Sequence, residues 1–193
     1  MNPNEASLLL SKYLHNKNLL KHSYAAQAAM KGVYRRLNDT SKQNPEDEEK
    51  WGITGLLHDV DYELAQETSQ LDKHGLLIFD KEPNVIPEDI AHAIKSHNFE
   101  NTRVEPQAQM DWAITASDQL TGLIVAAALV HPERKLAPLT TESVMKRFKE
   151  KSFAKGADRK SILYCEEKLS IPLQEFIEIV LKSMQSISVE LGL

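Results

Sequence analysis

Histidine and aspartate residues recur along the first two thirds of the chain, and both residue types bind divalent metal ions. In chain order, these residues are His22, His58, Asp59, His74, His97 and Asp118. Imidazole nitrogens and carboxylate oxygens suit divalent ions such as Fe, Mn, Co, Ni, Zn or Mg. Helices of a bundle can project such side chains inward to share an ion. The sequence therefore predicts a site for one or two divalent metal ions.

The adjacent pair His58-Asp59 is the most informative part of this series. Neighbouring side chains on a helix diverge by about 100°, but near a helix end both can reach one ion. A carboxylate can also bridge two ions, whereas an imidazole usually binds one. A His-Asp dipeptide is common, so the alternative interpretation is that His58 caps a helix and Asp59 is a solvated charge.

The sequence around this pair resembles a known family. The string TGLLHDVDYE, residues 54–63, resembles the central motif of the HD superfamily of metal-dependent phosphohydrolases. The strings KHSYAAQAAM, KHGLLIFDKE, DIAHAIKSHN and ITASDQLTGLI resemble its other motifs, in the same order along an all-helical scaffold. The resemblance covers about residues 20–130, and the full chain is similar to small bacterial proteins regarded as hydrolases of this superfamily.

The resemblance implies a ligand set for each of two ions. It implies that one ion is bound by His22, His58, Asp59 and Asp118. It also implies that His74 and His97 bind a second ion, which Asp59 bridges to the first. As in the two-metal members of the family, the pair would neutralise the charge on phosphate oxygens and activate a water molecule.

The implied function is hydrolysis of a small phosphorylated compound, expected to be a nucleotide or a dinucleoside polyphosphate. Asp59 and Asp61 are the candidate catalytic residues. The candidate substrate contacts are the cations beside the ligand segments, Lys73, Lys95 and Arg103. For each of these cations the alternative is a solvated surface position.

Some residues depart from the family pattern and leave other functions open. Many two-metal members continue the His-Asp motif with Gly-Lys, but this chain has Val60 and Asp61, so one phosphate contact is missing. Asp61 could orient a water or a ligand histidine, or cap a turn. A nucleotide-monophosphatase branch has Glu where this chain has Tyr62, with Glu63 following. The alternatives are a catalytically inactive metal- or nucleotide-binding regulatory module and a di-iron oxygenase of HD type.

Helical spacing gives an independent view of two ligands. Ile90, Ile94 and His97 follow an i, i+4, i+7 stripe, which predicts that His97 ends a buried face. His92 falls on nearly the opposite side and is predicted to be a surface residue. Asp118 lies within the most apolar predicted helix, where an ionised carboxylate is costly to bury unless it is paired, protonated or metal-bound.

Other polar residues receive plainer interpretations. Asp111 lies near the start of the same predicted helix and is expected to be solvated, and His15 and His131 are expected on the surface. The basic stretch from Lys146 to Lys160 is interpreted as a solvated helix face. Its alternative is a contact with an anionic substrate or with RNA, although no interleaved aromatic residues favour RNA stacking.

The elements that must position these residues are helices. Apolar positions recur at helical spacing and no segment alternates as a strand does, which predicts an all-α, HD-domain-like bundle of about eight helices. One domain is expected over residues 1–193, with helices of the segment 139–191 packed on the motif core at about 20–130. A helix is predicted over 74–79, with Asp72 as its N-cap.

Composition limits the classes of function. The net charge of −5 argues against wrapping duplex DNA, and the longest apolar stretch, 120–130, is too short for a bilayer span. The single cysteine, Cys165, excludes an intramolecular disulfide and lies beside acidic residues that disfavour a thiolate nucleophile. We expect a cytoplasmic protein with a small phosphorylated substrate, no membrane contact, no nucleic-acid partner and a possible homodimeric state.

Overall fold

A computed structural model describes residues 1–38 and 40–193, and over these residues it contains helices and no strand, which confirms the all-α prediction. In chain order the helices are α1 (Pro3–Tyr13), α2 (Lys17–Leu37), α3 (Pro45–Leu57), α4 (Tyr62–Glu67), α5 (Leu77–Lys81), α6 (Glu88–His97), α7 (Phe99–Thr102), α8 (Gln109–Val130), α9 (Thr141–Lys149), α10 (Arg159–Glu167), α11 (Leu173–Ser186) and α12 (Ser188–Leu191). Eight of these described helices have nine or more residues, and a 3-10 helix, Leu71–Lys73, precedes α5.

Several helices begin where the sequence supplies an N-cap. An Asn or Asp side chain accepts hydrogen bonds from first-turn backbone N–H groups at the starts of α1, α2, α3 and α10; the caps are Asn2, Asn16, Asn44 and Asp158. Such caps satisfy donors that have no partner within the helix. The Asn16 cap starts α2 five residues before His22, so this histidine lies inside the helix rather than at its beginning.

The helices enclose two apolar cores. The smaller core lies between α1, α3 and α6 and includes Leu10, Leu57 and Ile94. The larger core joins α2 and α8 to the C-terminal helices, and Phe176 of α11 is among its fully buried side chains. Cys165 of α10 is buried in the same core. Because the C-terminal helices pack against α2 and α8, the polar faces of these two helices have a fixed position relative to α3 and α6.

A close crossing of α2 and α3 depends on one glycine. A Cβ atom built on Gly55 would lie 2.5 Å from the carbonyl oxygen of Ala26 in α2. Only glycine permits that approach. The crossing lies one turn before His58 on α3 and one turn after His22 on α2, so it brings these two histidines together.

The central helix α8 is long and apolar enough, by length and composition alone, to cross a membrane. In the fold, 61% of its most apolar 18-residue stretch is buried inside the protein. Ile114, Leu120 and Leu123 belong to the larger core. This burial is consistent with the central helix of a soluble protein.

Candidate metal centre

The four predicted histidine ligands and two predicted aspartate ligands come together where several helices meet. His22 lies within α2, and Asp118 lies within α8. The end of α3 supplies His58, and Asp59 follows in the turn before α4. The remaining pair is His74, in the loop before α5, and His97, the last residue of α6. The structure thus gathers residues that are up to 96 positions apart in sequence, from His22 to Asp118.

The first ligand group contains His22, His58, Asp59 and Asp118. His22 Nε2 lies 2.9 Å from Asp118 Oδ1 and 3.5 Å from Asp59 Oδ2. His58 Nε2 lies 3.2 Å from His22 Nε2 and 3.6 Å from Asp118 Oδ1. Ligand atoms of His22, His58 and Asp59 are all within 4.8 Å of one another, so they can hold a metal ion.

The second group contains Asp59, His74 and His97. His74 Nε2 lies 2.8 Å from Asp59 Oδ1 and 3.2 Å from His97 Nε2. His97 Nε2 lies 3.7 Å from the same carboxylate oxygen. These three residues also present ligand atoms within 4.8 Å of one another. Asp59 belongs to both groups, which is the placement expected of a carboxylate that bridges two ions.

Backbone carbonyls orient two of the histidine rings. His58 Nδ1 donates to the carbonyl oxygen of Gly55 at 2.8 Å, and His97 Nδ1 donates to that of Ile94 at 2.5 Å. A carbonyl oxygen only accepts, so in each neutral ring the proton is on Nδ1 and the lone pair is on Nε2. Histidines that bind metals usually donate their second nitrogen in this way.

Side chains orient the other two rings in the same sense. The hydroxyl of Thr121 donates its one proton to the Asp118 backbone oxygen at 2.7 Å. It therefore accepts from His22 Nδ1, which lies 3.3 Å away. The Asp61 carboxylate accepts from His74 Nδ1 at 2.8 Å. Both rings therefore present Nε2 to the centre.

The resulting arrangement requires positive charge at the centre. Lone pairs of two Nε2 atoms face one another at 3.2 Å in the pair His22 and His58, and again in the pair His74 and His97. Two lone pairs at this separation repel unless a proton or a metal ion lies between them. For a metal–nitrogen distance of about 2.1 Å, a 3.2 Å separation gives an N–metal–N angle of about 100°, close to tetrahedral and octahedral values. The donor set therefore fits a divalent metal ion.

Electrostatics keep both carboxylates ionised. Burial alone would raise the pKa of Asp59, but the surrounding His58, His74 and His22 rings hold it well below its usual value. Burial opposes ionisation of Asp118 too, but the neighbouring His22 and His58 rings hold its pKa far below the usual range. The centre therefore keeps two negative charges that a cation can neutralise.

Without a metal, protons occupy part of this site. Burial disfavours a charged His22 ring, but Asp118 and Asp59 outweigh it and raise the pKa of His22 to about 9. In the same way Asp59 and Asp61 raise the pKa of His74 to about 10 against the cost of burial. Burial, together with the neighbouring His74 and His58 rings, lowers the pKa of His97 to about 4. Since metal ligands must be deprotonated, a metal ion and these protons compete for the same nitrogens.

Asp61 is fully buried beside the centre. Besides the His74 ring, its carboxylate accepts from the backbone N–H groups of Gly75, at 2.9 and 3.2 Å, and Ile78, at 3.1 Å. These contacts correspond to the ligand-orienting alternative for Asp61. Gly75 has a φ of +89°, a conformation that favours glycine, and this turn sets the position of His74.

The three candidate substrate cations have contacts outside the ligand set. The ammonium of Lys73 donates to Gln70 Oε1 at 2.9 Å, and that of Lys95 lies 4.5 Å from the centre of the Phe79 ring. Arg103 is exposed at the end of α7 with a φ of +62°. Within residues 1–38 and 40–193, no ion pair joins these cations to the ligand carboxylates.

The prediction for Asp111 was wrong, and His92 is less exposed than a surface residue was expected to be. The His92 side chain is only 28% exposed, and its Nδ1 lies 2.9 Å from Asp111 Oδ2. Asp111 is buried rather than solvated, because it accepts from the backbone N–H groups of Gln107 and Ala108, each at 2.9 Å, at the start of α8. The pair lies outside the six-residue ligand set, His15 is exposed, and His131 is half-buried.

Three polar residues around the centre were not anticipated. Gln119 donates to Asp118 Oδ2 at 2.7 Å, and Asn98 donates to the backbone oxygen of His74 at 3.1 Å. Thr121, which orients His22, lies three residues after Asp118, so helical spacing could have indicated it. Gln119 is adjacent to Asp118 in sequence, and helical spacing gives no such signal for it.

The centre opens to solvent on one side. A cavity of about 320 Å³ reaches His22 and Asp118 and is otherwise lined by Gln119, Gly122, Ala154, Gly156 and Ala157. A small ligand can approach the first ligand group through this opening.

Comparison of the chain with family models, with curated proteins and with solved structures finds no match.

Proposed function

We propose that the protein is a metal-dependent phosphohydrolase of the HD superfamily that acts on a small phosphorylated compound, such as a nucleotide or a dinucleoside polyphosphate. The position of Asp59 between two histidine pairs carries this proposal. One pair is His22 and His58, the other is His74 and His97, and both groups can hold a metal ion. A carboxylate shared by two adjacent ion sites suits the charge that accumulates when a phosphate ester is hydrolysed.

Each ligand residue has a defined task in this proposal. His22, His58, Asp59 and Asp118 hold one ion, while Asp59, His74 and His97 hold the other; these are six residues in all. Bound divalent ions supply positive charge beside the phosphate oxygens and lower the pKa of water. Asp59 contributes charge to both sites.

The surrounding residues keep the ligands in place before substrate arrives. The Gly55 and Ile94 carbonyl oxygens fix the His58 and His97 rings. Asp61 acts as a positioning residue, since its carboxylate contacts the His74 ring and backbone N–H groups. Such partners of ligand histidines commonly affect metal affinity by 10–100-fold.

The substrate's phosphate enters from the cavity that reaches His22 and Asp118. This side of the centre is open, whereas His58 is fully buried. Lys73, Lys95 and Arg103 remain proposed substrate contacts, because a long, flexible cationic side chain can reach a bound anion by a change of rotamer.

The test combines metal analysis with a screen for phosphate release over nucleotides and dinucleoside polyphosphates. In Asp59→Ala both ion sites lose a ligand, so metal content and phosphate release should fall by more than about 100-fold, beyond the effect of losing a ligand's partner. His15→Ala is the control, because this exposed ring lies outside the ligand set and should leave both readouts unchanged.

Two results would replace the proposal with an alternative. Wild-type protein that binds metal but releases no phosphate from any compound would indicate the regulatory binding module. Oxygen consumption without phosphate release would indicate the di-iron oxygenase.

A further inference from the structure

A second cavity adjoins the opening of the metal centre. Its volume is about 510 Å³, and it lies along the segment that joins α9 to α10. We call it the basic cleft, because its charged lining is Lys149, Lys151, Lys155, Asp158 and Arg159. Gly156 and Ala157 line both this cleft and the opening at His22 and Asp118. The two cavities therefore meet at a wall made of small residues.

The positive charge of the basic cleft is not neutralised by the fold. In the part of the chain that the structure describes, no carboxylate lies within 4.0 Å of the Lys149, Lys151 or Lys155 ammonium groups, whereas ion pairs such as Lys31 with Glu49 do occur elsewhere. The one acid of the cleft, Asp158, caps α10. Cations that pair with no acid remain available to an anionic ligand.

The cleft has a shape that one arginine maintains. The Arg159 guanidinium donates to the carbonyl oxygens of Phe153 at 2.5 Å, Ala154 at 2.7 Å and Ala157 at 2.7 Å. Ala154 has a φ of +43°, in the left-handed region that non-glycine residues rarely adopt. The segment, which carries Lys151 and Lys155, is therefore held in a specific conformation.

A single side chain connects the basic cleft to the metal centre. Gln119 donates through Nε2 to Asp118 Oδ2 at 2.7 Å, and its Oε1 accepts from the backbone N–H of Asp158 at 2.9 Å. The segment that carries Lys151 and Lys155 is thus linked through Gln119 to Asp118, a residue of the first ligand group. This connection fixes the distance between the cleft and the centre.

We propose that the basic cleft binds a second phosphate group of the substrate, so that the protein acts on compounds with at least two phosphate groups. One phosphate group of the substrate lies at the metal centre. The rest of the substrate crosses the wall of Gly156 and Ala157 and places a second phosphate group against Lys149, Lys151 and Lys155. Position 156 leaves room for this path, since a Cβ atom there would meet nothing within 4 Å. The inference rests on the proposed function for the identity of the reacting group.

The first test measures binding of inorganic tripolyphosphate to the metal-free full chain by calorimetry. The cleft variant combines Lys149→Ala, Lys151→Ala and Lys155→Ala, and the control combines Lys135→Ala, Lys146→Ala and Lys160→Ala, which changes the net charge equally. All six lysines are exposed, so folding should be retained. We expect the dissociation constant to rise by about tenfold or more in the cleft variant only, since charged hydrogen bonds are lost there. An equal rise in both variants would overturn the proposal.

Hydrolysis separates this proposal from the proposed function. If the wild type releases phosphate, the cleft variant should raise KM for a diphosphate or triphosphate compound and leave KM for a monophosphate unchanged. Equal KM values for cleft and control variants would overturn the cleft proposal and leave the phosphohydrolase intact. Tripolyphosphate binding that requires the cleft lysines, without phosphate release from any compound, would support the cleft while the proposed function fails.

Discussion

Asp61 and Asp111 are both buried carboxylates that accept one hydrogen bond from a histidine Nδ1 and others from backbone N–H groups. Their partners are His74, at 2.8 Å, and His92, at 2.9 Å. The two pairs differ at the second ring nitrogen. His74 Nε2 faces the carboxylate of Asp59 and the imidazole of His97. His92 belongs to α6, and its side chain is partly exposed where it contacts Asp111 at the start of α8.

This difference shows that a buried histidine–aspartate pair does not by itself define a metal site. Around Asp111 the pair satisfies backbone donors at the start of α8, which is a structural task. Around Asp61 the same contacts hold a ring whose other nitrogen points at Asp59. The surroundings of the second nitrogen therefore decide whether such a pair can serve metal chemistry.

Removing the two histidines should give the largest contrast. His74→Ala deletes a proposed ligand of the second ion, so we expect loss of that ion and a fall in phosphate release of at least about 100-fold. His92→Ala removes one hydrogen bond from Asp111, which keeps two others, so stability should fall by about 1 kcal/mol with metal content unchanged. Metal analysis and kinetics check both variants, and equal damage would show that the pairs are not distinct.

Removing the charges of the aspartates should give a smaller contrast. Asp61→Asn and Asp111→Asn both place an amide opposite backbone N–H groups, so each should lower the free energy of unfolding by about 1–3 kcal/mol. Only Asp61→Asn should also weaken metal binding, by about 10–100-fold, since only this aspartate orients a proposed ligand. Titration calorimetry with the metal alone measures this, and an equal loss of affinity in Asp111→Asn would contradict it.

The pH dependence of the metal-free protein provides a third contrast. The pKa of His74 is raised from 6.5 to about 10 and that of His22 to about 9. A raised folded-state pKa stabilises the protein fully below the unfolded value, and this stabilisation is lost as pH rises from about 6.5 through about 10. The melting temperature should therefore fall over this interval. The fall in melting temperature should be smaller in His74→Ala, whereas in His92→Ala it should remain as in the wild type. The reverse result would show that His74 does not cause the fall.

The low pKa values of Asp59 and Asp118 act at the other end of the scale. Their contribution to stability is present above the unfolded value of 3.8 and is lost as pH falls below it. The metal-free protein should therefore lose stability on both sides of an intermediate pH range.

Much of the helical layout follows from local sequence signals. Pro45 with its acidic neighbours starts α3, and the spacing of Ile90, Ile94 and His97 indicates the buried face of α6. The prediction of a helix over 74–79 was wrong. The positive φ of Gly75 instead places His74 in a loop and delays α5 to Leu77. Glycine permits this conformation but does not require it, so composition could not reveal it.

Long-range contacts limited what could be predicted about the site. The order of the ligand residues was visible in the sequence, but the surroundings of Asp111 include His92 of α6, which lies 19 positions away along the chain. The basic stretch from Lys146 to Lys160 was interpreted as a solvated helix face. Its relation to Asp118 depends on Gln119 and Asp158, which are 39 positions apart. No local pattern carries that information.

The smallest expected effect concerns the start of α8, where Ala108 occupies the N-cap position with φ −90° and ψ 162°. This extended backbone suits a capping side chain, but alanine supplies none, and Asp111 bonds the Ala108 N–H instead. Ala108→Ser offers a hydroxyl acceptor for a first-turn N–H and should raise stability by about 0.5–1 kcal/mol, which is about 1–4 °C in melting temperature for a chain of this size. Metal affinity should not change, since the Asp111 pair acts only on the helix start. A change in metal affinity in this variant would mean that the start of α8 and Asp118 are coupled, and the two histidine–aspartate pairs would then share one function.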